Sequence, residues 1–357
     1  MSVTKQPVEP TAATGTDDGG ETRDARGEWT PRVLGKAPPF IWPIQPRKIL
    51  RFLLGFPGFL WPFGAAAYYG LAALTWYFLQ PGADQLGNFS QLRAGWILPM
   101  YARNLVLLLV FAGALHLLLY WRRVQGTRFK YNSRWPSTSS KAFLFNDQVK
   151  DNMFWSLASG ATIWTLYEVL MLWAYGNGWL PFATLRSNPV WFVGLAVVLP
   201  FWQDLHFYVV HRITHWKPLY KAAHYLHHRN TNVGPWSGLS MHPIEHLLYF
   251  TRWIILFLVP SHPIHMFYLM QRPALNPALG HTGFDRIVLK EDTDRGMSID
   301  SYFHYLHHRY FECNYGTATV PFDRWFGSLH DGSPESHERM RRKRRMPLEA
   351  NASVSSV

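Results

Sequence analysis

The sequence predicts an all-α fold, an integral membrane helical bundle carrying a histidine-rich helical cap on its cytoplasmic side. Three observations lead there. Long apolar runs alternate with short polar stretches. Only 16% of the residues are charged, against about 25% in an ordinary soluble domain, while aromatic residues reach 16% and Trp alone contributes 17. Fourteen of the 17 histidines fall between His206 and His308, after the last long apolar run.

The elements follow in order. Residues 1–45 are polar, rich in Gly, Thr and acid, and lack an apolar leader core, which predicts a disordered tail. Residues 46–203 hold the expected membrane helices, with apolar segments at Phe52–Leu79, Ile97–Trp121, Met153–Tyr175 and Val190–Trp202. A span needs roughly 20 apolar residues, so the fourth requires an extension or shielding by protein. Arg103 in the second is expected to snorkel to the interface. Residues 204–330 form the histidine-bearing region. Within it, the run at about 247–270 is broken by Pro260 and Pro263, which predicts a re-entrant hairpin. Residues 331–357 form a basic tail containing "RMRRKRR".

Charge orients the spans. Arg122–Lys150 carries seven Lys or Arg against one Asp, whereas Pro81–Gly95 and Gly176–Asn188 hold one Arg each. The basic segments, and with them both histidine clusters, are therefore expected in the cytoplasm. The net charge of +12 fits loops and a tail lying against anionic lipid, and no nucleic-acid-binding motif accompanies it.

The histidines carry the chemistry. His211 and His215 lie four apart and share a helical face, and the same stripe leads back through Tyr208 to Asp204. "HYLHH" occurs at His224–His228 and again at His304–His308. These segments supply eight imidazoles, His211, His215, His224, His227, His228, His304, His307 and His308, more than one ion with an open position can use, so two metals are expected. Glu-x-x-His and His-Glu-x-x-His are absent and Cys313 is the only cysteine, which excludes carboxylate-bridged, zinc-protease and cysteine-ligated sites. A nitrogen-rich, carboxylate-poor pair suits Fe(II), and Zn or Cu could also occupy it. Asp204 is expected to accept an imidazole N–H and fix its tautomer, with a helix N-cap or an ion pair with Arg212 as alternatives, and Tyr208, Glu245 and Asp285 are expected in similar roles. Asn314 and Asp323 are expected to order the loop that closes the site.

These segments resemble the fatty acid hydroxylase and sterol desaturase superfamily of membrane di-iron oxygenases. "HRITH" resembles its His-x-x-x-His box, and both "HYLHH" segments its His-x-x-His-His boxes. "HPIE" at His242 is similar to its His-Pro-x-Glu, and "NYG" at Asn314 and "FDRWFGS" at Phe322 resemble later family motifs. "HTGFD" at His281 resembles the His-Ser-Gly-Tyr-Asp of sterol 4-methyl oxidases, with Thr282 and Phe284 as departures.

The resemblance implies that His211, His215, His224, His227, His228, His281, His304, His307 and His308 bind metal, with His242 as a further ligand or close neighbour. It also implies two Fe ions per chain, O2 as co-substrate, and a lipid or sterol-like substrate that is hydroxylated or, alternatively, desaturated. "HTGFD" favours hydroxylation of a bulky lipid. Electrons are expected from an external haem or iron–sulfur carrier with its reductase, since the chain has no nucleotide-binding Gly-x-Gly-x-x-Gly. The expected location is a bacterial inner membrane, with the endoplasmic reticulum as alternative. Two other classes compete, a zinc-dependent membrane hydrolase and a metal-binding transporter. The transporter would place paired histidines inside the spans, where only His116 is found.

Overall fold

The computed structural model describes residues 23–24, 26–31, 40, 42–54, 59–60, 64–288, 296–299, 301–317 and 319–342. The chain is mostly helical. The order is α1 (Pro46–Leu54), α2 (Ala65–Leu74), α3 (Ala94–His116), α4 (Gln148–Phe154), α5 (Thr162–Gly176), α6 (Pro189–Thr214), α7 (Lys217–Leu219), α8 (Tyr225–His228), α9 (Pro243–Tyr249), α10 (Pro263–Gly280), α11 (Tyr302–Tyr310) and α12 (Phe322–Trp325). Between α10 and α11 lies a small antiparallel pair, β1 (Arg286–Val288) and β2 (Gly296–Ser298).

Wide π turns extend α3 to Trp121 and join α4 to α5 through Trp155–Ala161. With these extensions, three helical stretches among the described residues are long and apolar enough to cross a membrane: Ala94–Trp121, Gln148–Gly176 and Pro189–Thr214. Among the described residues, the first expected span shows α2 and the π turn after it only from Ala65 to Leu79. The fourth reaches that length, because α6 continues without a break past Trp202 to the histidines. Pro189 occupies its first turn, where no backbone N–H is needed, and the Asn188 side chain accepts from Trp191 N at 3.1 Å.

The run at 247–270 divides at its prolines into a 3-10 turn, Thr251–Phe257, and α10. His262 and His265 close the start of α10 by reciprocal hydrogen bonds with backbone N–H groups. From Pro263 to Gln271 every residue of α10 is buried, as expected of a helix surrounded by others; α2, α3, α5 and α6 all pack on it. Gly238 lets the loop before α9 close onto α10. A Cβ there would come within 2.4 Å of the Pro277 carbonyl oxygen.

Two expectations are corrected. Arg103 does not snorkel. It is buried and ion-paired to Glu168 of α5, with Asn104 and Trp164 donating to the same carboxylate at 2.9 and 2.8 Å. Inside an apolar bundle a charged pair satisfied on both sides is tolerated where a lone charge is not. Part of the N-terminal region is also ordered. Trp29 is buried against Phe129 and Tyr131, and Glu28 hydrogen-bonds to Tyr305 of α11. Residues 1–22, and most of the basic tail beyond 342, lie outside the described residues.

Candidate metal centre

The histidines come from the end of α6, from α8 with the π turn Tyr220–His224 before it, from the end of α10 and from α11. They gather into two groups. His211, His215, His224, His228 and His307 form one, and His227, His281, His304 and His308 the other, with the ligand atoms of each group lying within 4.8 Å of one another.

The division follows from helical rotation. In each "HYLHH", residues i and i+4 are about 40° apart, while residue i+3 points about 60° to the other side. His224 and His228 therefore share one group and His304 and His308 the other. The intervening His227 and His307 each cross to the opposite group. The two copies are not independent halves, because each lends one ring to the other's group.

The backbone fixes which nitrogen faces inward. His211 Nδ1 donates to the Tyr315 carbonyl at 2.7 Å, His227 Nδ1 to that of Ser240 at 3.2 Å, His281 Nδ1 to that of Pro277 at 2.8 Å and His307 Nδ1 to that of Cys313 at 2.6 Å. His224 Nδ1 donates to Glu245 Oε1 at 2.7 Å. A carbonyl can only accept, so Nδ1 carries the proton and Nε2 presents a lone pair.

The Nε2 atoms then meet. That of His215 lies 3.2, 3.1 and 3.1 Å from those of His307, His224 and His228, and His307 and His228 approach to 3.0 Å. In the second group His281 Nε2 lies 3.0 Å from that of His308 and 3.1 Å from that of His304. One proton on His215 could serve only one of its three neighbours, so lone pairs are left facing lone pairs unless a cation sits among them. Imidazole nitrogens about 2.0–2.1 Å from one ion stand about 3 Å apart, which is the spacing here. The residues fit two metal ions.

Burial keeps the rings neutral, as ligation requires. It lowers His224 to about 3 and His227 to about 4. His228, His281, His304, His307 and His308 are held well below the usual imidazole value, first by burial and then by the imidazoles around them. Burial raises Glu245 to about 7.

The remaining expected residues are distributed differently. His242 lies outside both groups; its side chain accepts from Ile244 N at 3.3 Å and caps α9. Asp204 holds no imidazole. It is buried in the middle of α6 and takes hydrogen bonds from Thr317 and Thr319. Glu245 makes the contact expected of Asp204. Tyr208 stacks on Phe322 and Phe326, at 5.2 and 5.6 Å, and so packs the C-terminal loop rather than a ligand. Asp285 pairs with Arg286. His246 bonds to Ser159 and to the Leu239 carbonyl, and His206 to Thr251.

Asn314 and Asp323 hold the closing loop. Asp323 accepts from Tyr315 N and Gly316 N, both at 2.8 Å, and Asn314, at φ 54°, bonds both ways with the His330 backbone. This aims the Tyr315 carbonyl at His211. The carbonyls of Ser240, Pro277, Cys313 and Tyr315 were not foreseen, since a main-chain acceptor leaves no mark in residue type.

A cavity of about 670 Å³ opens onto the rings of His211, His224, His227, His281 and His304, and extends along α6 and α10 to Gln203, Asp204, Arg252, Arg272 and Asn276. Residues 196–328, which carry all nine clustered histidines, match the fatty acid hydroxylase family. Over these residues the chain resembles the fatty acid hydroxylase and sterol desaturase superfamily. Among its relatives in that superfamily are a Delta(7)-sterol-C5(6)-desaturase of Nicotiana tabacum, 30% identical over 46% of this chain and 60% of the relative, and a Delta(7)-sterol 5(6)-desaturase of Gibberella zeae, 27% identical over 45% and 46%. The enzyme of the same name from Saccharomyces cerevisiae is 30% identical over 36% and 34%. The chain thus spans about a third to three fifths of the length of these superfamily relatives. No solved structure matches it. Three membrane-length helices among the described residues, together with the likeness to that family, support a membrane protein.

Proposed function

We propose that this chain is a membrane-embedded, O2-dependent oxidoreductase that oxidises an unactivated C–H bond of a lipid at a pair of iron ions. The observation that carries the reading is the convergence of nine neutral imidazoles, in two groups, at one end of a cavity that runs along the membrane-length helix α6 and the buried helix α10. His211, His215, His224, His228 and His307 would hold one ion, and His227, His281, His304 and His308 the other. Iron bound there supplies the activation of O2 that no side chain can provide.

The chain's own residues do the rest. Main-chain carbonyls and Glu245 fix the rings, leaving little reorganisation to occur during reaction. Burial keeps bulk water from the ligand set. The cavity admits an apolar molecule and positions it by packing. Glu245, raised to about 7 by burial, can hold or release a proton at Oε2 while its Oε1 accepts from His224 Nδ1. Electrons come from an external carrier, for which the basic segment Arg122–Lys150 offers a docking face on the cytoplasmic side. A bacterial inner membrane remains our expected location, and the eukaryotic relatives make the endoplasmic reticulum the alternative.

Hydroxylation and desaturation share this site and differ in whether the substrate carbon gains oxygen or its neighbour loses a second hydrogen. "HTGFD" favours oxygen insertion, whereas the names of the relatives favour desaturation of a sterol-like ring. Lipid mass spectrometry of cells with and without the protein, grown under 18O2, separates them. A labelled alcohol supports hydroxylation and an unlabelled new double bond supports desaturation. Product formed without O2 or reductant would replace both with zinc-type hydrolysis.

A further inference from the structure

The cavity that reaches the histidines also holds charge that they do not use. It follows one face of α10, where Arg272, Asn276 and Gly280 recur every four residues, and one face of α6 through Gln203, Asp204, Phe207 and His211. Away from the rings, two guanidinium groups, Arg252 and Arg272, share this space with the single carboxylate of Asp204. Neither arginine forms an ion pair among the described residues. Arg252 directs Nε and Nη2 at the Tyr249 carbonyl, at 3.2 and 2.9 Å. Arg272 donates Nη1 to Gln203 Oε1 at 2.7 Å and also reaches the Tyr268 hydroxyl, while its Nε is buried without a partner. Asp204 is already engaged by Thr317 and Thr319.

Counting Arg252, Arg272 and Asp204 alone, this inner part of the wall is one positive charge in excess, and the half-buried Lys48 at its edge adds to rather than offsets it, in a place where an uncompensated charge is strongly disfavoured. A guanidinium fork with free donors matches a carboxylate or phosphate. Lys48 and Arg51 of α1 also line the cavity, but Arg51 is exposed and solvated.

We propose that Arg272 determines specificity by holding the anionic headgroup of an amphipathic lipid whose tail runs along α6 and α10 to the histidines. What happens at the far end rests on the lipid-oxidation reading above. Two helical rulers set the span. Arg272 and His281 are nine residues apart, and Asp204 and His211 seven, which at 1.5 Å per residue gives about 10–14 Å between the charged group and the carbon presented for oxidation. A sterol with a neutral hydroxyl would leave the excess charge unmatched.

The test is binding, measured by quenching of intrinsic Trp fluorescence in the full chain in neutral detergent, both metal-free and metal-loaded. Three probes of matched chain length are used: a fatty acid, a lysophosphatidic acid and a fatty alcohol. At least one anion should bind about tenfold tighter than the alcohol, and the tighter of the two identifies carboxylate or phosphate as the source. Arg272→Gln should erase that preference, Arg272→Lys should keep part of it, and Arg51→Gln should leave it intact. Equal affinity for alcohol and anions, or a preference that survives Arg272→Gln, overturns the proposal. If Arg272→Gln does not insert, the wild-type comparison decides alone. Anion selectivity without any oxidised product would sustain this inference and sink the functional reading; oxidation of neutral lipid without selectivity would do the reverse.

Discussion

Glu245 Oε1 accepts the Nδ1 proton of His224 at 2.7 Å, and both side chains are buried. This is the one carboxylate that touches the ring of a clustered histidine among the described residues. It sets that ring's tautomer and raises its basicity toward a cation. Glu245→Gln keeps the shape and removes the charge, and should weaken metal binding about 10- to 100-fold. Competition with a chromophoric chelator measures it; unchanged affinity would remove Glu245 from the centre.

The crossing of His227 and His307 between the "HYLHH" copies makes their effects separable. Each Ala variant should lower metal content by about one equivalent per chain, and the double variant by about two. Elemental analysis of membranes or purified protein reads this directly. Full content in both single variants would show that the groups do not hold metal.

Low proton affinity of the buried rings ties stability to pH. With His224 near 3 and His227 near 4, the folded metal-free chain takes up no proton on these rings just below pH 6.5, whereas the unfolded chain does. Their stabilising contribution is full above about 6.5 and is lost toward 4, at about 1.4 kcal/mol per ring and pH unit. Glu245, raised to about 7, acts oppositely between 4.5 and 7 and offsets about one ring. The several remaining histidines dominate. The melting temperature of metal-free protein in detergent should fall steeply from pH 6.5 to 4; a flat profile would refute the neutral-cage picture.

Arg103 and Glu168 join α3 to α5 inside the bundle. Glu168→Ala leaves a buried guanidinium uncompensated and should cost about 3–5 kcal/mol, much of it recovered when Arg103→Leu is added. Reversible unfolding in mixed micelles tests this double-mutant cycle. Additive losses would mean that the pair is not coupled.

Much of the centre was legible because imidazoles at helical spacing carry their geometry in their numbering. His211 with His215, and the repeated "HYLHH", announce shared faces. Even the exchange of His227 and His307 is implicit in the 100° turn per residue. His242 stands beside Glu245 rather than in either ligand group, because a histidine before Pro243 serves equally as a helix cap. Asp204 misled because its stripe on α6 is right, but its carboxylate sits too far along the helix to reach the rings and meets Thr317 and Thr319 instead. The helices were legible from hydropathy where the apolar stretch is unbroken, as in α3 and α5. At Phe52–Leu79, Pro57 and Pro62 interrupt the pattern, and no span-length helix results among the described residues. Partners chosen by tertiary packing, such as Glu168 for Arg103, have no period in the sequence at all.

The four carbonyls that aim the rings belong to Ser240, Pro277, Cys313 and Tyr315, spread over three separate regions of the chain. His281, His307 and His227 find their acceptors only 4, 6 and 13 residues away, whereas His211 waits for a carbonyl 104 residues further on. Three of the four rings thus take their aim from their own neighbourhood of the chain, and one takes it only from the closed fold.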